Sequence, residues 1–284
     1  MFFSRARWIS VRFPRKAPMP QVDEGLVTAV CRVAQEAGRA TLAFHGGAVP
    51  FERKVDNSPL TAADRAAHGI IVEALRRLTP HLPVLSEESS EQEAAGRLAW
   101  DTFWLVDPLD GTKEFIKGSG EFTVNIALIS GAGPVLGVVH VPVTGVTYWG
   151  RPGQGAFKAQ AGQPPVALHS RPADLERLVI VASKDHAGPR VEALLRRLGT
   201  ASTAHLGSSL KFCLIAEGQA DFYPRLQPTN EWDTAAAQCV LEAAGGGVTD
   251  LEGRRLAYNK PQILNPSFLA FGDPRHDWRA LLGD

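Results

Sequence analysis

The run Leu105-Val106-Asp107-Pro108-Leu109-Asp110-Gly111-Thr112-Lys113-Glu114-Phe115 constrains this chain most. It sets two carboxylates and a backbone carbonyl within four residues, just ahead of a glycine. Magnesium takes oxygen ligands in near-octahedral geometry and sits on a few carboxylates plus phosphate oxygens. Asp107, the Leu109 carbonyl and Asp110 are such oxygens. Gly111 allows a tight turn, and the N–H groups of Gly111, Thr112 and Lys113 would then open a helix whose positive end favours an anion. The competing reading is an Asp-Pro turn with Asp110 as a helix cap.

Composition bounds the rest. The 284 residues are 44% apolar and 21% charged, which suits a globular protein of one domain or two lobes. Thirty basic residues balance thirty acidic ones, so no global basic field argues for a nucleic-acid polymer or an anionic membrane as partner. Cys31, Cys213 and Cys239 are odd in number, far apart and without a CxxC pair. They fit a reducing, cytoplasmic setting and read as small hydrophobes rather than a disulfide framework or a zinc site. No segment approaches the ~18 uninterrupted apolar residues of a membrane span. Residues 1–20 mix five basic residues with Phe2, Phe3, Trp8, Ile9 and Phe13 and carry no acid. They read as a disordered extension, with an amphipathic, membrane-contacting or transit-like segment as the alternative.

Periodicity predicts a helix from Val22 to about Phe44 and a second one N-capped by Thr61 and stopped at Thr79-Pro80. Pro83-Val84-Leu85-Ser86 reads as extended, and Trp104-Leu105-Val106 as a buried strand delivering the DPLD turn. Strands follow at 122–128, 135–143 and 146–149. The Gly-, Pro- and Gln-rich stretch 151–165 reads as a lobe boundary, giving an α+β lobe at 21–155 and an α/β lobe at 156–284. In the second lobe, strands at 178–182 and 220–223 alternate with helices at 190–198, 209–217 and 234–244.

Four further segments bear on the DPLD reading. Glu87, at a strand end, is a candidate third carboxylate that also positions water; its plain reading is solvated loop. Asp64, three residues after Thr61, is either the acidic half of a capping box or an orienting partner for Thr112. Asp233 opens an Ala-rich helix and is either a cap residue or a carboxylate from the second lobe, which would put the site between the lobes. Lys184, His186, Ser208, Ser209, Lys211, Tyr223 and Arg225 are candidates for a substrate pocket, each with an ordinary surface or core alternative.

Together these blocks resemble the magnesium-dependent, lithium-sensitive inositol monophosphatase superfamily: Trp104 to Thr112, Trp232-Asp233-Thr234-Ala235-Ala236, Ser86-Glu87-Glu88, and Leu60 to Asp64. DPLDGTKEFI at 107–116, GSSLKFCLIAEGQADFYPR at 207–225, and Glu231 before Trp232 narrow the resemblance to the 3'(2'),5'-bisphosphate nucleotidase branch. The resemblance implies a layered αβαβα sugar-phosphatase fold in two lobes. It implies two or three Mg2+ ions on Glu87, Asp107, Leu109, Asp110 and Asp233, with Gly111 and Thr112 cradling phosphate. It further implies Glu87, Thr112 and Asp64 as the catalytic group. Glu87, Leu109, Asp110, Gly111, Thr112, Asp233, Ser208, Lys211 and Arg225 would meet a small nucleotide bisphosphate. The active unit would be a monomer or homodimer, and the reaction sulfur-linked nucleotide hydrolysis. Ala237 departs from the family pattern, which usually has glycine there and so raises a narrowed pocket.

Overall fold

A computed structural model of the chain describes residues 22–46, 50–53, 59–131, 133–183, 188–198 and 202–282. The basic extension at 1–20, with Lys184 and His186, lies outside the described residues. In chain order the first part runs α1 (Glu24–Leu42), β1 (Phe51–Arg53), β2 (Pro59–Thr61), α2 (Ala62–Leu78), β3 (Val84–Ser86), β4 (Thr102–Asp110), α3 (Thr112–Ile116), β5 (Thr123–Ser130), β6 (Gly133–Val141), β7 (Val146–Arg151), β8 (Gly155–Gln160) and β9 (Val166–Leu168). Then come β10 (Val179–Ser183), α4 (Gly188–Leu198), β11 (Ser202–Leu206), α5 (Leu210–Ala216), β12 (Phe222–Arg225), α6 (Glu231–Ala243), β13 (Gly247–Asp250) and β14 (Phe268–Phe271). Among the described residues no helix is long and apolar enough to cross a membrane.

The strands form a seven-stranded sheet, β3-β4-β5-β6-β7-β8-β9, and a five-stranded sheet, β11-β10-β12-β14-β13, beside the small β1-β2 pair. Both faces of the larger sheet are covered, which explains why β4 and β5 read as nearly continuous apolar runs. Trp104, Val106, Val124, Ile126 and Leu128 pack with the buried stripes of α1 and α2. Phe103, Leu105, Ala127 and Ile129 turn the other way, onto α5 and α6. The smaller sheet lies beyond these two helices. Its residues Val181, Tyr223, Phe268 and Ala270 join the same cluster, while Ile180, Phe222, Leu269 and Phe271 pack outward with Leu194 of α4 and with Trp278. The order is therefore helices, sheet, helices, sheet, helix, the expected αβαβα layering.

Local signals hold where they have a stereochemical basis. Thr61 N-caps α2, and Asp64 completes the capping box by accepting from the Thr61 N–H (2.7 Å) and Oγ1 (2.6 Å). Thr79 ends the helix, and its Oγ1 accepts from the Trp104 indole at 2.8 Å, tying α2 to β4. The stretch 151–165 lies inside the larger sheet: β8 and β9 continue the antiparallel ladder to Leu168. The division proposed near residue 155 thus falls within one sheet, and α6 from beyond it packs across that sheet. The three cysteines are buried and unpaired.

Candidate metal and phosphate site

The DPLD segment is strand, not turn. β4 pairs antiparallel with β5 as Asp107↔Asn125 and then Asp110↔Thr123, three steps on one strand against two on the other. In a regular strand residues three apart point to opposite faces; a one-residue bulge resets the alternation. Asp107 continues the Phe103, Leu105 face, and the bulge brings Asp110 to the same side. Asp107 Oδ1 accepts the Leu109 N–H at 3.0 Å, which braces the bulge. β3 runs parallel to β4 with Ser86 opposite Val106, and the Glu87 N–H donates to the Val106 carbonyl at 3.0 Å, so Glu87 emerges beside Asp107.

The fourth carboxylate comes from the middle helix layer. Asn230 caps α6, and Asp233, at the third helical position, accepts the Asn230 N–H at 2.8 Å. Its capping role and its place in the site coexist. Oxygens of Asp107, Asp110 and Asp233 lie within 4.8 Å of one another. Glu87 stands outside this trio, yet its charge raises the pKa of both Asp107 and Asp233.

Burial is the largest cause holding the Asp107 and Asp233 carboxyls well above the usual carboxylate range, and repulsion among the acids adds to it. Asp110 is raised too, mainly by burial, although Lys211 and hydrogen bonds from Ser209 and Asn125 oppose the shift. Converging buried carboxylates fit a hard divalent cation, which would replace mutual repulsion with attraction. Asp107, Asp110 and Asp233, joined by Glu87 and the Leu109 carbonyl, are the oxygens that would hold it.

Gly111 follows at φ 92°, a left-handed conformation, and caps the five-residue α3 without a side-chain bond. A Cβ there would also sit 3.0 Å from the Glu121 carbonyl and 3.3 Å from Ser208 Cβ. Gly111→Ala is therefore expected to cost about 1–3 kcal/mol and to weaken phosphate release, checked by denaturant unfolding beside an activity assay. Unchanged stability would contradict the strain. The Thr112 hydroxyl donates to the Leu109 carbonyl at 3.2 Å, while the Asp64 oxygen Oδ2 is engaged by Thr61. Asp64 sits in the α2 capping box, and the Thr112 proton is given to Leu109 rather than to Asp64.

Across the pocket, a cavity of about 180 Å³, stand Lys211 and Arg225. Lys211 is buried; its Nζ donates to the Ser208 carbonyl at 2.5 Å and to Leu206 at 3.3 Å, and lies 5.4 Å from the Tyr223 ring centre. Desolvation pulls it down to about 8 although Asp110 favours its charged form. Of the two readings open for Lys211, pocket or ordinary surface or core, the structure puts the residue in the pocket wall. Arg225 donates to Ser183 Oγ at 2.7 Å and to the Pro228 carbonyl at 3.3 Å, and its buried Nε has no partner.

The sequence matches the inositol monophosphatase family over residues 16–279. The chain belongs to this family. It is 49% identical over 242 residues to the 3'(2'),5'-bisphosphate nucleotidase CysQ of Escherichia coli strain K12, covering 84% of this chain and 96% of that relative. The CysQ protein of Haemophilus influenzae is 36% identical across 93% of this chain and 98% of its own. Among solved structures, CysQ from Bacteroides thetaiotaomicron aligns with a TM-score of 0.75 at 40% identity, over 88% of this chain and 98% of that one. An IMPase of Thermotoga maritima reaches the same TM-score at 24% identity over 92% and 97%, which shows the shared fold. As an inositol monophosphatase family member the chain is a phosphatase.

Within that family frame, Ala237 is buried in the α6 core rather than among the pocket-lining residues, so it does not narrow the site. Close approach is provided from the sheet. Gly137 and Gly150 face each other on β6 and β7, and a Cβ on Gly137 would lie 2.2 Å from the Ala236 carbonyl. Sequence reading passed over Thr123, Asn125 and Ser183, which contact Asp110 or Arg225. The available signal was Thr123 and Asn125 as polar residues in a strand apolar on both faces.

Proposed function

We propose that this protein is a Mg2+-dependent phosphatase that removes the 3'-phosphate of 3'-phosphoadenosine 5'-phosphate, giving AMP and phosphate, with 3'-phosphoadenosine 5'-phosphosulfate as a second substrate. One observation carries the preference for a doubly anionic substrate: Lys211 and Arg225 share the pocket with the acidic trio, and Arg225 keeps a buried, unpartnered Nε. A monoester needs only the metal corner. Two cations beyond it suit a second phosphate, and the CysQ relatives act on bisphosphates by name.

Bound magnesium supplies Lewis acidity toward the phosphate oxygens and the attacking water. The chain's own residues do the rest. Gly111 and Thr112 direct backbone N–H groups at the 3'-phosphate. Glu87 and Thr112 Oγ1 would orient the water, Glu87 accepting its proton as the new P–O bond forms and the P–O3' bond breaks, with a solvent water donating the proton that lets O3' leave as a hydroxyl. With a cation on the Leu109 carbonyl, Asp64 would be the residue to orient the Thr112 hydroxyl. Ser208, Lys211 and Arg225 hold the other phosphate, which fixes the ester in line. Lithium inhibition accompanies this metal chemistry in the resemblance.

The test is Mg2+-dependent phosphate release from 3'-phosphoadenosine 5'-phosphate and from inositol 1-phosphate on one preparation. A strong nucleotide preference is expected. Preference for the inositol ester would keep the metal mechanism and overturn the substrate; no turnover of either would overturn the catalytic reading.

A further inference from the structure

Three polar residues that the reaction does not touch converge on one oxygen of Asp110. Its Oδ2 accepts the Ser209 N–H at 2.6 Å and the Asn125 amide Nδ2 at 3.3 Å, and the Thr123 hydroxyl oxygen lies 3.4 Å away. Ser209 Oγ lies 2.9 Å from Asn125 Oδ1 and 2.9 Å from Thr123 Oγ1. All three side chains are buried, at 0–2% exposure. Proton counting fixes the directions. Asn125 Oδ1 only accepts, so the single Ser209 proton goes there and Thr123 becomes the donor to Ser209. A flipped Asn125 amide would set its oxygen against the Asp110 carboxylate, so the Ser209 hydroxyl holds the amide with its donor toward Asp110. Thr123 and Asn125 are the cross-strand partners of Asp110 and Asp107 across the bulge, and Ser209 immediately precedes α5.

We infer that Ser209, Asn125 and Thr123 form a positioning bridge that fixes the rotation of the Asp110 carboxylate, saturating Oδ2 and presenting Oδ1 to the divalent cation. This rests on the metal reading above. It assigns Ser209 to the metal corner rather than to the substrate. It also links that corner to the 206–211 segment, where Lys211 anchors the Ser208 and Leu206 carbonyls. Hydrogen-bonded partners of metal ligands change metal affinity by about 10–100-fold when removed.

The probe is Mn2+ alone, its binding read by paramagnetic resonance on the full-length protein without substrate. Ser209→Ala, which deletes one oxygen and leaves the backbone N–H, is expected to weaken Mn2+ binding about tenfold. Asn125→Leu should weaken it at least as much, and Thr123→Ser, which keeps the hydroxyl, should bind like wild type. In turnover the loss should appear in the metal concentration needed for half-maximal rate, with kcat largely restored at saturating metal. A merely structural role would instead lower the melting temperature at unchanged Mn2+ affinity. Wild-type Mn2+ affinity in Ser209→Ala overturns the bridge, whether or not Asn125→Leu folds. Mn2+ binding undiminished by Asp110→Asn overturns the metal reading itself.

Discussion

Asp110→Asn is expected to reduce metal-dependent phosphate release by about a thousand-fold while raising the melting temperature of the metal-free protein. The two effects share one cause. Asp110, Asp107 and Asp233 are buried together and hold each other's ionised forms at a cost. An amide in place of one carboxylate keeps an acceptor for the Ser209 and Asn125 donors but removes a charge. Relief of about 1 kcal/mol moves the melting point of a chain of this size by about 2–4 °C. The sign with pH follows from the same shifts. Carboxyls raised on folding bind more protons in the native state than in the unfolded one, so their contribution to stability falls as pH rises from about 4 through the raised values. Metal-free wild type should lose stability across that window, Asp110→Asn should lose less, and added Mg2+ should stabilise wild type most at its upper end. Calorimetric scans in chelator and in Mg2+, beside a phosphate assay, check all three. Wild-type turnover in the variant would sink the metal assignment; a lower melting point without metal would sink the electrostatic account.

Much of this site was legible because its chemistry is local in sequence. The Thr61–Asp64 capping box and the Asp107/Asp110 spacing each lie within four residues and rest on stereochemistry that needs no tertiary partner. What escaped was set by long-range packing. The bulge that turns Asp107 and Asp110 to one face depends on the register of β4 against β5, which no spacing within DPLD encodes. The stretch 151–165 reads as a boundary because it is rich in turn residues, although pairing of β8 with β7 and of β9 with β8 decides its fate. β11, β13 and β14 are four- or five-residue strands recognisable only through their neighbours. Lys211 could be named only as a candidate for a related reason: apolar residues at helical spacing look alike whether the lysine among them faces core or cavity. The glycine expected on α6 is replaced by Ala237, and the close contact is instead made by Gly137 and Gly150, far upstream on β6 and β7.

Gly137→Val therefore tests how packing reaches the chemistry. A Cβ at residue 137 would fall 2.2 Å from the Ala236 carbonyl and 2.7 Å from Cys239 Cβ, both on α6. Backbone cannot yield as a flexible side chain does, so the helix must lift from the sheet. The cost is expected to be about 3 kcal/mol or more, a fall of about 6–12 °C in melting temperature. Because α6 also carries Asp233, the lifted helix withdraws one carboxylate from the trio, so Mg2+ should no longer stabilise the variant and turnover should fall with it. Gly69→Ala is the control. Gly69 lies exposed inside α2 with nothing within 4 Å of a Cβ, and alanine there should stabilise by about 0.5–1 kcal/mol with turnover intact. A Gly137→Val protein with wild-type melting and Mg2+ response would show that α6 does not press on β6 as described. Loss of Mg2+ response together with stability would tie the placement of Asp233 to the paired-glycine contact between its helix and the larger sheet.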